Sequence, residues 1–180
     1  FAQGVIFAVD SGATIIQEAL GSFNNTTFAQ EAVEYAYRHG VTIVGSAGDE
    51  QSARHNFPAN YPHIIMTNSV TKYMDFDIFH QLPPSYLYLN GCTNFGGRID
   101  VSVSSASCSS EACGKLSGMV GLIYATALNE IDKGELQPYP GTDWPLSPNE
   151  VRQIVTMSAD DINFETPIEN YQTWFTLLPS

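Results

Sequence analysis

The sequence has few positively charged residues. It contains 7 Lys and Arg against 19 Asp and Glu, which gives a formal net charge of −12 at pH 7. A nucleic-acid surface needs clustered cations, and an anionic membrane surface would repel this chain. Long apolar runs are lacking too, since the longest, from Leu116 to Leu128, is shorter than the roughly 18–20 residues that span a bilayer. The composition therefore predicts no nucleic-acid partner and no membrane span.

Cysteine is scarce, and its number is odd. With Cys92, Cys108 and Cys113, at most one internal disulfide can form, and one thiol is left over. A bridge between Cys108 and Cys113 would need local distortion if residues 111–113 are helical. Two overlapping glycosylation acceptor tripeptides lie within Asn24–Thr27. These tripeptides and the shortage of cations favour a secreted or cell-envelope protein.

The residues that are present predict an α/β fold. Hydrophobic residues make up 43% of the chain and aromatic residues 12%, which is enough for a packed core. Alternating strand and helix patterns predict right-handed βαβ units in a parallel sheet. Residues 71–97 predict surface loops or a hairpin. The predicted helices cover residues 2–11, 28–37, 111–128 and 148–159, and the predicted strands cover residues 13–17, 41–44, 64–67 and 98–103.

The last of these helices has a strong start signal. Ser147 stands at the cap position, Pro148 at the first helical position, and Glu150 completes a capping box. Leu146 and Val151 are spaced for a hydrophobic staple across the cap. The sequence therefore predicts where this helix begins.

Two serines, Ser109 and Ser110, stand immediately before the predicted buried helix. A serine at this position commonly caps the helix, a contribution of ~1 kcal/mol. It can also act as a nucleophile, because the free N–H groups and the helix dipole stabilise an oxyanion. Position alone leaves both roles open.

The segment around these serines resembles a known motif. Residues 108–118 read Cys-Ser-Ser-Glu-Ala-Cys-Gly-Lys-Leu-Ser-Gly. They resemble the nucleophile motif of the subtilisin-like serine peptidases (subtilases), Gly-Thr-Ser-x-Ala-x-Pro-x-Val-Ala/Ser-Gly, without a gap. The resemblance places Ser110 on the nucleophile. Further segments resemble family motifs in the family's order: residues 13–21, 40–49, 57–65, 93–101 and 146–152.

The resemblance implies both a fold and a substrate cleft. It implies a three-layer α/β fold with a mostly parallel central sheet and helices on both faces, of which residues 1–180 form the C-terminal portion of the catalytic domain. An extended peptide would pair with two strand edges, and small side chains there leave room for an apolar pocket. The substrate-binding residues implied in this way are Ala19, Leu20, Gly21, Ser46, Ala47 and Gly48.

The resemblance also implies that the catalytic triad is incomplete in this chain. Subtilases use Asp, His and Ser in that order, and their Asp and His motifs precede every segment matched here. A preceding N-terminal segment of the same domain is therefore expected to supply both residues. A chain that opens on Phe1, without Met or a signal peptide, agrees with a processed or truncated product. None of the histidines lies in the family's His-Gly-Thr-His context: His39, His55, His63 and His80.

Asp49 stands where the family has the Asn of its oxyanion hole. That Asn donates a hydrogen bond to the developing oxyanion, and loss of such a donor costs ~3–4 kcal/mol in the rate. A carboxylate would repel the oxyanion, so Asp49 would have to be protonated, as carboxylic acids in apolar sites can be. An active enzyme of this kind is expected to favour acidic pH.

Two functions are consistent with these residues. The first is a serine endopeptidase that hydrolyses peptides or proteins through an acyl-enzyme on Ser110. The second is an inactive pseudopeptidase that serves as a binding or assembly domain. Substitutions around the nucleophile favour the second function, such as Cys108 in place of glycine and Asp49 in place of asparagine. We expect no cofactor and no metal site for either.

Overall fold

A parallel sheet forms the centre of the molecule. The computed structural model describes residues 1–71, 88–89 and 92–160. The elements in chain order are α1 (Ala2–Asp10), β1 (Ile15–Glu18), α2 (Thr27–Arg38), β2 (Thr42–Ser46), β3 (Ile64–Thr71), β4 (Tyr88–Leu89), β5 (Val101–Ser104), α3 (Ser109–Asp132) and α4 (Pro148–Ser158). Parallel pairing joins β1 to β2, β2 to β3 and β3 to β5, and the two-residue β4 pairs antiparallel with β3.

Alternate residues of the central strands face two separate apolar cores. Ile43, Ile64 and Met66 belong to the core that includes buried residues of α1 and α2. Val44 and Ile65 belong to the core that includes buried residues of α3 and α4. Because neighbouring strand residues point to opposite faces, helices cover both sides of the sheet. This confirms the predicted three-layer α/β architecture.

The start of α4 follows the predicted capping box. The Ser147 hydroxyl accepts a hydrogen bond from the Glu150 N–H at 3.3 Å. The Glu150 carboxylate accepts the Ser147 N–H at 2.7 Å. Leu146 and Val151 are both buried in the same core. The local signal was sufficient here because each pair of partners lies within five residues along the chain.

The strand predicted over residues 98–103 begins later, at Val101. Residues 98–100 are held to the sheet by both side-chain and backbone hydrogen bonds. The Arg98 guanidinium donates to the main-chain carbonyls of Tyr61 at 3.1 Å and Ile64 at 3.2 Å. The Asp100 N–H donates to the Met66 carbonyl of β3 at 2.9 Å, just before the ladder of β5 begins.

The strand predicted over residues 64–67 is longer than expected and continues to Thr71. Its extension is explained by β5, which pairs with residues 67–70, and by β4, which pairs with Val70 and Thr71. Most of the segment predicted as loops or a hairpin lies outside the described residues, as does His80.

Within residues 1–71, 88–89 and 92–160, no helix is long and apolar enough to cross a membrane. The same residues contain no group of three or more His, Cys, Asp or Glu side chains that could hold a metal ion.

Candidate active site

The start of α3 lies against the carboxyl end of β2. Ser109, the first residue of the helix, is fully buried. Its hydroxyl lies 2.7 Å from the Ser46 hydroxyl and accepts the Gly48 N–H at 3.1 Å. The same oxygen is 2.5 Å from Asp49 Oδ1 and 3.0 Å from the Gly48 carbonyl. Ser109 therefore anchors the start of α3 to the end of β2.

Neither serine is the N-cap of α3. Cys108 holds the cap position and its side chain makes no capping hydrogen bond. The acceptor comes from a distant part of the chain instead, since Asp49 Oδ1 accepts the Ser109 N–H at 2.8 Å. A carboxylate next to a helix N-terminus is stabilised by the free N–H groups and the helix dipole. The local capping interpretation of Ser109 and Ser110 is thus wrong.

The side chain of Ser110 has a different environment from that of Ser109. It is exposed, and it lies in the first turn of α3. Among the described residues, no group forms a hydrogen bond with its hydroxyl. Because its backbone continues directly from the buried Ser109, its position is fixed while its hydroxyl stays accessible. Accessibility and a fixed backbone are what a nucleophile requires.

Asn94 organises the loop that follows β2. Its side chain is fully buried. Its amide nitrogen donates to the Ala47 carbonyl at 3.0 Å and to Glu50 Oε2 at 2.6 Å, and its amide oxygen accepts the N–H groups of Glu50 and Ser52, both at 3.1 Å. Its backbone N–H donates to the Gly48 carbonyl at 2.8 Å. No local pattern in the sequence marks Asn94, although it lies inside the matched segment 93–101.

The predicted substrate-binding segments follow two neighbouring strands. Residues 19–21 come directly after β1 and are exposed, whereas Ser46 and Ala47 are buried at the end of β2. Since β1 and β2 are paired from residue 15 to residue 18 of β1, their carboxyl ends lie side by side. The two segments therefore flank one edge of the sheet, where α/β folds commonly bind ligands.

The space beside this edge is lined by polar groups. The Asn56 side chain is 2% exposed and donates to both carboxylate oxygens of Glu50 at 2.9 Å. A Cβ added to Gly21 would lie 3.0 Å from the Asn56 amide nitrogen, and one added to Gly48 would lie only 2.4 Å from it. The absence of a side chain at Gly21 and Gly48 thus leaves room for the Asn56 amide.

Glu18, the last residue of β1, is a buried carboxyl group at 4% exposure. One oxygen accepts the Leu20 N–H at 3.0 Å, and the other has no hydrogen-bond partner. Burial raises the pKa of Glu18 to about 8, although the bond from Leu20 acts in the opposite direction. The group is therefore largely protonated at neutral pH. The sequence analysis did not identify it.

Two of the three cysteines form a disulfide next to the candidate nucleophile. Cys92 and Cys108 form a disulfide with a Cα–Cα distance of 5.5 Å, and Cys113 is a buried free thiol. The Cys113 sulfur lies 3.3 Å from the Glu18 carbonyl and 3.4 Å from the Val44 carbonyl. Burial raises the pKa of the Cys113 thiol, so it is not a reactive thiolate.

Three histidines lie within the described residues, and none hydrogen-bonds to the predicted nucleophile. The His39 ring nitrogen lies 2.8 Å from the Tyr35 carbonyl. His63 contacts the Glu34 carboxylate at 3.2 Å. The Nε2 atom of His55 is buried without a hydrogen-bond partner. Of these three histidines, His39 and His63 therefore make local contacts within or beside α2.

Sequence comparison finds relatives with strong similarity over part of the chain. Fervidolysin from Fervidobacterium pennivorans is 37% identical over 73 residues, which are 40% of this chain and 10% of that protein. The thermophilic serine proteinase of Bacillus sp. (strain AK1) is 38% identical over 72 residues, or 40% of this chain and 18% of that protein. The matches therefore span only a small part of each relative.

Structural comparison covers most of the chain. Sphericase superposes with a TM-score of 0.66 at 20% identity, covering 88% of this chain and 54% of that structure. A variant of the PatA protease domain superposes with a TM-score of 0.66 at 19% identity, covering 89% of this chain and 57% of that structure. The chain spans little more than half the length of these structures, which share its fold. A model of the subtilase family (peptidase S8) matches residues 1–174, and the chain belongs to that family.

Proposed function

We propose that residues 1–180 form the C-terminal portion of a subtilase catalytic domain that hydrolyses peptide bonds with Ser110 as the nucleophile. The contrast between two adjacent serines carries this proposal. Ser109 is buried and bonded on all sides, whereas Ser110 is exposed in the first turn of α3. Such a pair holds a hydroxyl in a fixed, accessible position at the positive end of a helix dipole.

The reaction needs a general base for Ser110. In the proposed enzyme, the Asp and His come from a preceding segment of the same domain. The His takes the proton of the Ser110 hydroxyl while the oxygen attacks the scissile carbonyl, and the tetrahedral oxyanion collapses to an acyl-enzyme as the amine leaves with that proton. Water then releases the acyl group by the same steps. No cofactor enters this scheme.

Asp49 stands where the resemblance places the asparagine of the oxyanion hole. Its Oδ1 accepts both the N–H and the hydroxyl of Ser109, which places the carboxyl group beside the start of α3. A carboxylate would repel an oxyanion formed at Ser110, whereas an amide would donate a hydrogen bond to it. Asp49→Asn is therefore expected to speed hydrolysis.

The proposed substrate is an extended peptide or protein segment. It would pair with the exposed residues 19–21 and with the backbone at 46–48, on the two neighbouring strand ends. The Cys92–Cys108 disulfide supports a secreted or cell-envelope location, since disulfides persist in oxidising compartments.

Hydrolysis of a fluorogenic peptide library by the intact protein tests this function. We expect cleavage that is abolished in Ser110→Ala. Ser117→Ala is the matched control, because Ser117 lies in the same helix and its hydroxyl donates to the Cys113 carbonyl one turn earlier. Full activity in Ser110→Ala would contradict the proposal.

One observation favours an inactive pseudopeptidase as a second candidate. Asp49 already serves as the acceptor for the start of α3, a structural role that needs no catalysis. A pseudopeptidase predicts no hydrolysis at any pH together with measurable binding of the same peptides. Asp49→Asn separates the two candidates, because restoring the amide should raise activity at neutral pH only in a working enzyme.

A further inference from the structure

The disulfide is attached directly to the candidate nucleophile segment. Cys108 is the N-cap of α3 and lies two residues before Ser110. Its partner Cys92 is 16 residues earlier in the chain. Because Cys108 makes no capping hydrogen bond, the disulfide is what its side chain contributes at the helix start.

Cys92 leads into a segment that is firmly held. Thr93 and Asn94 are buried, at 1% and 0% exposure. The Thr93 hydroxyl accepts the Ser69 N–H at 3.2 Å, and the Asn94 carbonyl accepts the Asn68 amide at 3.2 Å. These bonds fix the segment after Cys92 to β3.

The contacts close a ring around the start of α3. Ser109 bonds to Gly48 and Asp49, and the Gly48 carbonyl accepts the Asn94 N–H. Two residues before Asn94, the disulfide returns from Cys92 to the residue that precedes Ser109. This ring of contacts is thus closed by several hydrogen bonds and by one covalent bond between side chains, the disulfide.

Opening that covalent link leaves other anchors in place. The Ser69 hydroxyl is 2.5 Å from the Ser105 hydroxyl and donates to the Ser107 carbonyl at 2.8 Å, which holds the chain just before Cys108. The helix itself remains packed through buried residues such as Ala112 and Leu116. Loss of the disulfide is therefore expected to loosen the first turn of α3 without unfolding the domain.

We propose that Cys92 and Cys108 are positioning residues, whose disulfide fixes Ser110 for reaction and whose reduction slows that reaction. This inference rests on the proposed function of Ser110. Reduction by a dithiol such as dithiothreitol breaks the sulfur–sulfur bond. The two cysteines gain two electrons and two protons, and the dithiol becomes a cyclic disulfide.

Labelling of the intact protein with a fluorophosphonate tests the inference. The maximal labelling rate should fall about 100-fold on reduction, the loss expected for a reacting group displaced by about 1 Å. The probe concentration at half-maximal rate should not change, and reoxidation should restore the rate. The double variant Cys92→Ser/Cys108→Ser should match the reduced protein. Cys113→Ser should behave as wild type, because Cys113 is a free thiol in the same helix.

Two further measurements apply if the double variant does not fold or if the protein is not labelled. If the double variant does not fold, the reduced wild-type protein with an unchanged circular dichroism spectrum takes its place. If the oxidised protein is never labelled, the proposed function fails, and hydrogen exchange of residues 109–113 tests the disulfide alone. Faster exchange on reduction supports the positioning role. An unchanged maximal labelling rate, or unchanged exchange, overturns it.

Discussion

The carboxyl ends of β1 and β2 lie side by side, but their polar groups differ in how they are satisfied. After β2, Gly48, Asp49 and Ser109 bond to one another, and Asn94 binds the loop that follows. At the end of β1, Glu18 is buried with one unpartnered oxygen. A buried polar group costs free energy unless it is hydrogen-bonded. The β2 end is thus held by a network of hydrogen bonds, although the Asn56 Oδ1 beside it is also unpartnered, and the β1 end carries the carboxyl group that responds to pH.

The largest expected change in the free energy of unfolding comes from Glu18 at the β1 end and depends on pH. The pKa of Glu18 is raised by burial from 4.5 to about 8, so ionisation opposes folding. Stability is then full below the unfolded pKa and decreases as pH rises towards 8, by up to ~1.4 kcal/mol per pH unit and about 5 kcal/mol in total. Urea unfolding of the intact protein between pH 5 and pH 8 should show this decrease, and Glu18→Gln should remove it.

A second carboxyl group provides the control for that measurement. The pKa of Glu111 is lowered, chiefly by its hydrogen bond with Lys115. A lowered pKa stabilises the fold above the unfolded pKa, and this stability is lost as pH falls. Glu111→Gln should therefore leave the decrease between pH 5 and pH 8 intact. If Glu18→Gln also leaves it intact, the contrast between the two strand ends is wrong.

Glycine substitutions compare the packing of the two ends. Gly48 has a φ of +99°, and a Cβ there would lie 2.4 Å from the Asn56 amide nitrogen, 2.7 Å from the Asn94 amide nitrogen and 2.8 Å from a Glu50 oxygen. Strain and overpacking together predict a loss of about 3–4 kcal/mol for Gly48→Ala. Gly21→Ala meets only the Asn56 side chain, at 3.0 Å, and should cost about 1 kcal/mol.

Equilibrium unfolding at a single pH measures both glycine variants. Similar losses for the two would show that the β2 end is no more tightly packed than the β1 end.

The smallest expected changes in stability come from alanine substitutions of Ser109 and Ser110. Ser109→Ala leaves the buried partners Ser46 and Gly48 with fewer hydrogen bonds and should cost about 1–3 kcal/mol. Ser110→Ala removes an exposed hydroxyl and should change stability by less than about 0.5 kcal/mol. Thermal melting of both variants checks the difference. An equal loss in both would remove the distinction between a structural and a reactive serine.

Sequence reasoning succeeded where interactions are local or follow the strand and helix periods. The β-branched run over residues 41–44 predicted a buried strand, and the spacing of Ser147 and Glu150 predicted the start of α4. These signals depend on neighbours within one strand or one turn, so the sequence contains them completely.

The remaining features join residues that are far apart in the chain. Asp49 caps a helix that begins 60 residues later, and Asn94 binds a loop more than 40 residues earlier. Three cysteines allow three pairings, and only the fold selects Cys92 with Cys108. Glu18 looks like an ordinary strand-end carboxylate until packing removes it from water. No local pattern encodes these contacts.

Mapping the covalent adduct tests the central claim most directly. The intact, oxidised protein is labelled with a fluorophosphonate and is then digested for peptide mass spectrometry. We expect one adduct, on Ser110, with Ser109 unmodified. An adduct on another serine, or none at any pH in a folded protein, would contradict it.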